Sequence, residues 1–314
     1  MANKIGILSP LLAGLGRIFG PSFEVVNRGD FASDLAMAAA HPDIRALVVI
    51  GGEKLEHATV EAFPNLGLIA CYGVGFDGVD AKHARARGVE VTNCPNVNNE
   101  DVADHAIGIW IALVRGIVAG HERVLNGGWT HGFRGVFGPS LRQMKCGIAG
   151  FGAIGQSIAR RLPGFGVTDI QWWGPNPKPD IALPRAESLQ ALAAWSDVLF
   201  VAARADETSR NMITADILAA LGPQAYLVNI TRGFTVDEDA LIAALKAKTI
   251  AGAALDVFVE EPTPPARWKD VPNIVVTPHI GGAGRGAAEA QTRLVLENLT
   301  AFFVGQPVKT PVPA

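Results

Sequence analysis

The sequence has few cysteines, and their positions restrict what they can do. Its 314 residues contain three, Cys71, Cys94 and Cys146, which are widely spaced and form no C-x-x-C pair. An odd, scattered set of this kind predicts neither a disulfide framework nor a cysteine-ligated zinc site. We expect each cysteine to be a small buried hydrophobic residue, and the protein to be cytoplasmic.

Unbalanced charge and long apolar runs are also lacking. The 27 basic and 30 acidic side chains give a net charge of −3 and a pI near 6.2, so we expect no nucleic-acid partner and no basic membrane patch. The longest apolar run, 106–114, has nine residues, whereas a membrane span needs about 20. Pro10 interrupts the first apolar stretch, so we interpret Ile5–Leu8 as a strand and not as a signal peptide.

What the sequence does contain is enough apolar material for a folded protein. Hydrophobic residues make up 49% and charged residues 18%, which excludes a mainly disordered chain. At roughly 150 residues per domain, the length favours two domains. Glycine is in excess at 35 residues, which indicates tight turns and close contacts between helices and strands.

Short β-rich runs alternate with longer Ala- and Leu-rich runs along the chain, the pattern of βαβ units in a parallel sheet. A long helix is predicted to start near Asn99 and to lead into a loop at Asn126–Trp129, and the β–α pattern starts again at Lys145. The last predicted helix is Ala287–Phe303. The predicted strands are Lys4–Leu8, Phe23–Val26, Arg45–Ile50, Leu66–Cys71, Val89–Asn93, Lys145–Gly150, Asp169–Trp173, Val198–Ala202, Ala225–Asn229, Ala251–Leu255 and Ile274–Thr277.

A G-x-G-x-x-G motif follows the first strand of the second series. It comprises Gly150, Phe151, Gly152, Ala153, Ile154 and Gly155, and an amphipathic helix follows it. Strand, glycine motif and helix together form the dinucleotide-binding fingerprint, in which the helix N-terminus binds the pyrophosphate. The sequence therefore predicts a site for NADP or NAD.

The acidic residue that usually binds the ribose 2′-hydroxyl of NAD is missing. Gly174 stands in its place, followed by Asn176 and Lys178. Without a carboxylate a 2′-phosphate is not repelled, and Lys178 is a candidate counter-charge, although it could equally be a solvated loop residue. NADP is favoured on this ground.

Charged and titratable residues follow three of the later strands. Arg232 lies in N-x-x-R-G after one strand, D-V-F-V-E-E-P (256–262) follows the next, and His279 lies in P-H-I-G-G after the last. The carboxyl ends of parallel strands form the ligand crevice of such sheets. Taken singly, a lone arginine is usually a surface charge and a lone histidine usually a structural group.

Together, these motifs resemble the D-isomer specific 2-hydroxyacid dehydrogenase family over nearly the whole chain. The segments 72–80 (YGVGFDGVD) and 102–106 (VADHA) add to the likeness. Within that family the sequence is most similar to the glyoxylate/hydroxypyruvate reductase branch, which commonly prefers NADP. NADP-preferring relatives often carry an arginine where this chain has Pro175, and Arg204 is a candidate substitute.

The resemblance implies that His279 is the general acid and base that protonates the carbonyl oxygen of a small 2-oxo acid during its reduction to the D-2-hydroxy acid. Glu261 would hold the other ring nitrogen of His279, and spacing favours it over the adjacent Glu260. Arg232 would orient the substrate carboxylate or carbonyl with paired donors.

Further contacts follow from the same resemblance. The N–H groups of Val74 and Gly75 would bind the substrate carboxylate, and Asp256 would accept a hydrogen bond from the nicotinamide carboxamide. The coenzyme contacts that the resemblance implies after the later strands are Ala203, Arg204, Thr208, Ile230, Thr231, Asp256, His279 and Gly281. The loop after Pro95 departs from the family by its amides, Asn96 and Asn98 among them. These amides favour either a hydroxylated substrate or a cap of the long helix.

The implied fold is α/β, with two doubly wound parallel-sheet domains. A Rossmann cofactor domain, 99–283, is inserted in a flavodoxin-like substrate domain formed by 1–98 and 284–314. The resemblance also implies a homodimer, for which 126–143, with Trp129, Phe133 and Phe137, is a predicted contact.

The same fold supports two other functions. Formate oxidation on the same scaffold is disfavoured, because that branch carries an amide where this chain has Glu261. A non-catalytic, dinucleotide-sensing co-regulator on the same fold stays open, because such relatives can keep the catalytic groups. Turnover of a 2-oxo acid distinguishes the reductase from the co-regulator.

Overall fold

The computed structural model describes residues 3–132, 135 and 138–313. The chain divides into two compact units, each built around one sheet. Unit 1 comprises Met1–Asn98 and Gly284–Ala314, and unit 2 comprises Asn99–Ala283.

Unit 1 contains five parallel strands in the order β2-β1-β3-β4-β5. This is the 2-1-3-4-5 order of flavodoxin-like folds. The strands are β1 Lys4–Ile7, β2 Glu24–Asn27, β3 Ala46–Ile50, β4 Leu68–Tyr72 and β5 Glu90–Thr92. The helices are α1 Gly16–Phe19, α2 Asp34–Ala40, α3 His57–Ala62, α4 Ala81–Ala86 and, from the end of the chain, α12 Arg285–Phe303.

Helices cover both faces of this sheet, which is why its central strands are apolar along their whole length. One face packs against Met37, Phe63 and their neighbours, and the other packs against Phe19 of α1 and Leu299 of α12. Short polar side chains cap two of these helices: the Ser33 hydroxyl accepts a hydrogen bond from Ala36 N at 3.1 Å at the start of α2, and Asp80 accepts one from His83 N at 2.9 Å at the start of α4.

Unit 2 contains six parallel strands in the order β11-β10-β9-β8-β6-β7. An isolated parallel bridge from Arg185 to Trp172 continues the sheet beyond β7, which gives the 3-2-1-4-5-6 arrangement of dinucleotide-binding folds with one further strand. The strands are β6 Cys146–Ala149, β7 Ile170–Trp173, β8 Val198–Val201, β9 Tyr226–Asn229, β10 Gly252–Leu255 and β11 Ile274–Val276. The helices are α5 Asn99–Val114, α6 Ile117–Leu125, α7 Ala153–Arg161, α8 Leu189–Trp195, α9 Ala215–Leu221, α10 Glu238–Ala247 and α11 Pro265–Trp268.

The two sheets confirm the predicted fold class, and all eleven predicted strands are present with ends within two residues of those expected. The helix predicted from Asn99 up to the loop at Asn126 is wrong in one respect. The helix stops at Val114. Gly116, two residues further on, adopts a left-handed conformation with φ of 60°, and a second helix, α6, follows at an angle of 61° to α5. The last helix begins at Arg285, so Gly286 belongs to its first turn and not to the preceding loop.

Burial of the three cysteines agrees with the prediction for them, since all are free thiols inside the protein. Desolvation raises the pKa of Cys71 to about 12 and raises that of Cys146 further, so neither forms a thiolate at neutral pH. Within the described residues no single helix has the length and hydropathy of a membrane span. Only α5 and α6 taken together pass that test, with a 61° bend between them.

Candidate active site

The glycine motif after β6 forms a tight turn that carries the chain into α7. Gly150 has a φ of 96°, and a Cβ there would overlap the backbone of Ala202 and Ala203. A Cβ on Gly155 would overlap the carbonyl oxygen of Gly150. Both positions therefore require glycine, which brings the start of α7 close to the end of β6.

Gly152 differs from these two glycines because it borders open space. It is the N-cap residue of α7, it is exposed, and a Cβ there would meet nothing within 4 Å. Backbone N–H groups and the positive end of the helix dipole thus lie beside room for an anion, so the turn fits a dinucleotide pyrophosphate. Phe151 is buried and stacks on Trp172 with 4.9 Å between ring centroids, which leaves only its backbone for a ligand.

The segment after β7 has no carboxylate at the predicted coenzyme-selecting position. Gly174 is buried, and its carbonyl oxygen accepts a hydrogen bond of 2.8 Å from Arg185 Nη2. A Cβ on Gly174 would meet only the Trp172 ring at 3.6 Å, an ordinary contact. Asn176 and Lys178 follow in exposed positions.

The loop after β8 holds the other predicted coenzyme residues. Ala203 packs its backbone against Gly150, and Arg204 is exposed, with its Nε 3.9 Å from a carboxylate oxygen of Asp206. Asp206 also accepts a hydrogen bond of 2.9 Å from the backbone N–H of Thr208. The positive charge of Arg204 therefore lies beside a carboxylate, which the sequence pattern did not indicate.

Arg232 is placed by a compact turn after β9. Asn229 Oδ1 accepts hydrogen bonds from the Thr231 N–H at 3.1 Å and from the Thr231 hydroxyl at 2.8 Å, and Asn229 Nδ2 donates to the Arg232 carbonyl at 3.2 Å. Ile230 and Thr231 are buried. A Cβ on Gly233 would overlap the backbone of Phe258 and Val259, so this turn packs directly on the segment that leads to Glu261.

Glu261 and His279 form the central contact of the site. Glu261 Oε2 lies 2.6 Å from His279 Nδ1, and Glu261 Oε1 accepts a hydrogen bond of 2.9 Å from the Phe258 N–H. Burial would raise the pKa of Glu261, but these two hydrogen bonds and the charges of His279 and Arg232 hold that pKa below its ordinary value. The ionised carboxylate must accept, so Nδ1 carries hydrogen and Nε2 is the nitrogen that can exchange a proton.

The backbone around His279 is held by Asp256. His279 has a φ of 53°, a left-handed conformation that is unfavourable for residues other than glycine. The next two N–H groups, of Ile280 and Gly281, donate to Asp256 Oδ1 at 3.0 Å and Oδ2 at 2.7 Å. The segment after β10 therefore fixes His279 in two ways. Glu261 contacts its ring, and Asp256 binds the N–H groups of the two residues that follow it.

Sequence reasoning missed some of the residues that position this site. Glu238 is buried, accepts a hydrogen bond of 2.6 Å from the Val259 N–H, and pairs with Arg267 Nε at 2.7 Å. His105 lies 3.2 Å from Asp256. The only sequence signal for His105 was its place in the motif 102–106, and Glu238 gave none.

Val74 and Gly75 belong to unit 1, where they follow β4 in a loop with close backbone contacts. Asn93 Nδ2 donates to the Val74 carbonyl at 2.6 Å, and a Cβ on Gly51 would overlap the carbonyl oxygen of Gly75. The backbone conformation of this loop is therefore set by its neighbours within unit 1, and its predicted role in carboxylate binding stays a prediction.

Comparison with known proteins gives a family match in the same part of the chain. Residues 107–281 match the model for D-isomer specific 2-hydroxyacid dehydrogenase, NAD binding domain. The chain is 39% identical to a 2-ketogluconate reductase of Gluconobacter oxydans over 271 residues, 86% of this chain and 87% of that protein. It is 38% identical to a glyoxylate reductase of Pyrococcus furiosus over 273 residues, 84% of this chain and 81% of the relative.

A solved structure gives a comparable match to the fold. It is an NADPH-dependent glyoxylate/hydroxypyruvate reductase from Sinorhizobium meliloti in complex with NADP and malonate. Its TM-score is 0.91 at 36% sequence identity, with 98% of this chain and 96% of that chain covered.

Proposed function

Because the chain belongs to the D-isomer specific 2-hydroxyacid dehydrogenase family, we propose that it reduces a small 2-oxo acid of the glyoxylate/hydroxypyruvate type to the D-2-hydroxy acid. It is an oxidoreductase of the glyoxylate reductase branch, and its coenzyme is NADP or NAD. The specific substrate and the roles of individual residues are part of the proposal.

The contact between His279 and Glu261 is the observation that carries this proposal. A 2.6 Å contact between Nδ1 and an ionised carboxylate fixes the tautomer and stabilises the imidazolium. The pair lies at the carboxyl end of the sheet that also carries the dinucleotide motif, where such sheets bind ligands.

The residues of this chain supply the proton and the orientation. When bound, the reduced nicotinamide supplies a hydride to the carbonyl carbon. His279 Nε2 donates a proton to the carbonyl oxygen, and Glu261 stabilises the charge on the ring before and after that transfer. Arg232 binds the carboxylate or carbonyl oxygen of the substrate with parallel N–H donors, which orients the carbonyl toward His279.

We propose NADP as the preferred coenzyme. Gly174 provides no carboxylate to repel a 2′-phosphate, and Lys178 is exposed in the same segment. Asp206 beside Arg204 weakens the case for Arg204 as the phosphate ligand, so Lys178 is the better candidate. Asp256, whose Oδ2 accepts from Gly281, is proposed to bind the nicotinamide carboxamide as well.

A homodimer is proposed on the apolar surface of α6. No residue of α6 is buried within the chain, and its Val124 and Leu125 are 56% and 68% exposed. Trp129 follows with 69% exposure, and Phe133 and Phe137 of the predicted contact lie outside the described residues. We expect Leu125→Glu to convert a dimer to a monomer by light scattering after size-exclusion chromatography, and an unchanged mass contradicts this interface.

A cytoplasmic location is proposed because all three cysteines are reduced and buried. Detection of the chain in the soluble cytoplasmic fraction of cells supports this location, and its recovery elsewhere contradicts it.

The test of the function is steady-state kinetics with both coenzymes. We expect turnover with NADPH, compared by kcat/KM across glyoxylate, hydroxypyruvate, pyruvate and 2-ketogluconate, and a lower value with NADH. Coenzyme binding measured by fluorescence is the control. If coenzyme binds but no 2-oxo acid is reduced, the reductase proposal is wrong and the dinucleotide-sensing alternative is favoured.

A further inference from the structure

Unit 2 contains a second histidine–carboxylate pair, His105 and Asp256, next to the turn that carries His279. His105 on α5 places Nε2 2.9 Å from the Thr277 hydroxyl and 3.2 Å from Asp256 Oδ1. The Thr277 hydroxyl in turn donates to Asp256 Oδ1 at 2.6 Å. The mechanism above uses neither His105 nor Thr277.

The hydrogen positions of this network follow from its donors and acceptors. Thr277 gives its only hydroxyl hydrogen to Asp256, so its oxygen can only accept from His105. Burial would raise the pKa of Asp256, but hydrogen bonds from His105, Thr277, Ile280 and Gly281 hold it below its ordinary value. The carboxylate is therefore ionised, and His105 Nε2 must carry the hydrogen that both oxygens share.

The network is partly buried, with Asp256 as its buried member, and contacts the backbone that follows His279. The side chains of His105 and Asp256 are 18% and 3% exposed. A Cβ placed on Gly281 would lie 2.9 Å from Asp256 Oδ2 and 3.3 Å from His105 Cδ2. The His105 ring and the Asp256 carboxylate thus pack on the turn in which His279 adopts its left-handed conformation.

We propose that His105 is a positioning residue for His279, acting through Thr277 and Asp256. Its Nε2 hydrogen keeps the Asp256 carboxylate oriented to accept from the Ile280 and Gly281 N–H groups. Those two hydrogen bonds hold the unfavourable φ of His279, so the Nε2 of His279 stays where the substrate carbonyl requires a proton donor. Loss of the His105 donor removes one of the four hydrogen bonds that Asp256 accepts, and the turn relaxes.

The experiment, which rests on the proposed function for its kinetic part, compares His105→Gln with His105→Asn. Glutamine places an amide N–H near the position of imidazole Nε2, whereas asparagine is one bond too short to reach Thr277 and Asp256. With glyoxylate and NADPH we expect H105N to lower kcat about tenfold, because small displacements of a catalytic group are costly. We expect KM to change less than about threefold and H105Q to keep most of the wild-type kcat.

Hydrogen exchange gives a second readout that does not depend on activity. The amides of Ile280 and Gly281 should exchange faster in H105N than in the wild type and H105Q. If the wild type reduces no 2-oxo acid, the proposed function fails, while the exchange rates still test the positioning role.

Two results overturn the proposal. One is a wild-type kcat and wild-type exchange in H105N, and the other is an H105Q variant as slow as H105N. If the variants at position 105 do not fold, Thr277→Val and Thr277→Ser replace them. Valine removes the bridging hydroxyl, which serine keeps, so the same difference in kcat and exchange is expected.

Discussion

The loop after β6 and the loops after β9, β10 and β11 lie at the carboxyl ends of strands in one sheet, but they are built differently. The first depends on backbone, because Gly150 and Gly155 leave no room for a side chain and Gly152 leaves open space. The others depend on side chains: Arg232 and Glu261 are held by hydrogen bonds within their own turns, and the His279 ring contacts Glu261 from a separate segment. Backbone recognition suits a phosphate shared by all dinucleotides, whereas proton transfer requires particular side-chain atoms.

His279→Ala is expected to have the largest effect, because it removes the proton donor from the loops that depend on side chains. General acid catalysis is worth about 10² to 10⁴ in rate, and we expect kcat to fall about a thousandfold. The dissociation constant of NADPH, measured by fluorescence, should stay within a factor of about three. Equal turnover by mutant and wild type removes His279 from catalysis.

Arg232→Ala is next, because it removes the anion-binding donors while His279 stays in place. Loss of a paired, charge-assisted interaction with a carboxylate should lower kcat/KM for glyoxylate about a hundredfold. Arg232→Lys serves as the control, since it keeps the charge without the paired geometry and should recover only part of the loss. Unchanged kinetic constants in the alanine variant contradict the orienting role.

Asp256→Asn tests whether the carboxylate that holds the His279 turn also stabilises the fold. Its pKa is below the ordinary value of 3.8 in the folded protein, so its contribution is complete above pH 3.8 and is lost as pH falls further. We expect the variant to lose about 2 kcal/mol of unfolding free energy at pH 7. Urea denaturation between pH 7 and pH 3 should show this difference shrink at the acid end, and a constant difference contradicts the linkage.

Gly152→Ala tests the glycine loop after β6 without straining its backbone. A Cβ at Gly152 meets nothing within 4 Å in the protein, so the melting temperature should not change. The methyl group would stand where a pyrophosphate must approach, and we expect the dissociation constant of NADPH to rise about tenfold. Gly164→Ala is the matched control, because a Cβ there also meets nothing within 4 Å; equal binding by both variants contradicts the assignment.

Gly174→Asp should give an effect of similar size on a different property, the coenzyme preference. The Cβ of the new side chain makes an ordinary 3.6 Å contact with Trp172, so it fits without displacing a neighbour. A carboxylate accepts from a ribose 2′-hydroxyl and repels a 2′-phosphate, and we expect the ratio of kcat/KM for NADPH to that for NADH to fall about tenfold. Gly174→Asn, similar in volume but uncharged, should change the ratio less.

The same contrast explains which features could be predicted from the sequence. Strands and the glycine motif depend on local patterns, so their positions agree with the structure to within two residues. The break between α5 and α6 at Gly116 was missed because apolar residues continue on both sides of it. The contacts of Glu238 with Val259 and of His105 with Asp256 join residues 21 and 151 positions apart, and no local periodicity carries that information.

The overlap that a side chain at Gly233 would make with Phe258 and Val259 has a consequence for how substrate range can change. The turn that carries Arg232 and the segment that carries Glu261 share one surface with no space between them. Substitutions in the two segments should therefore be strongly non-additive. Single substitutions are better tolerated in loops that border open space, so a new substrate specificity should arise more easily there. A change of specificity through the Arg232 turn or the Glu261 segment should require substitutions in both segments together.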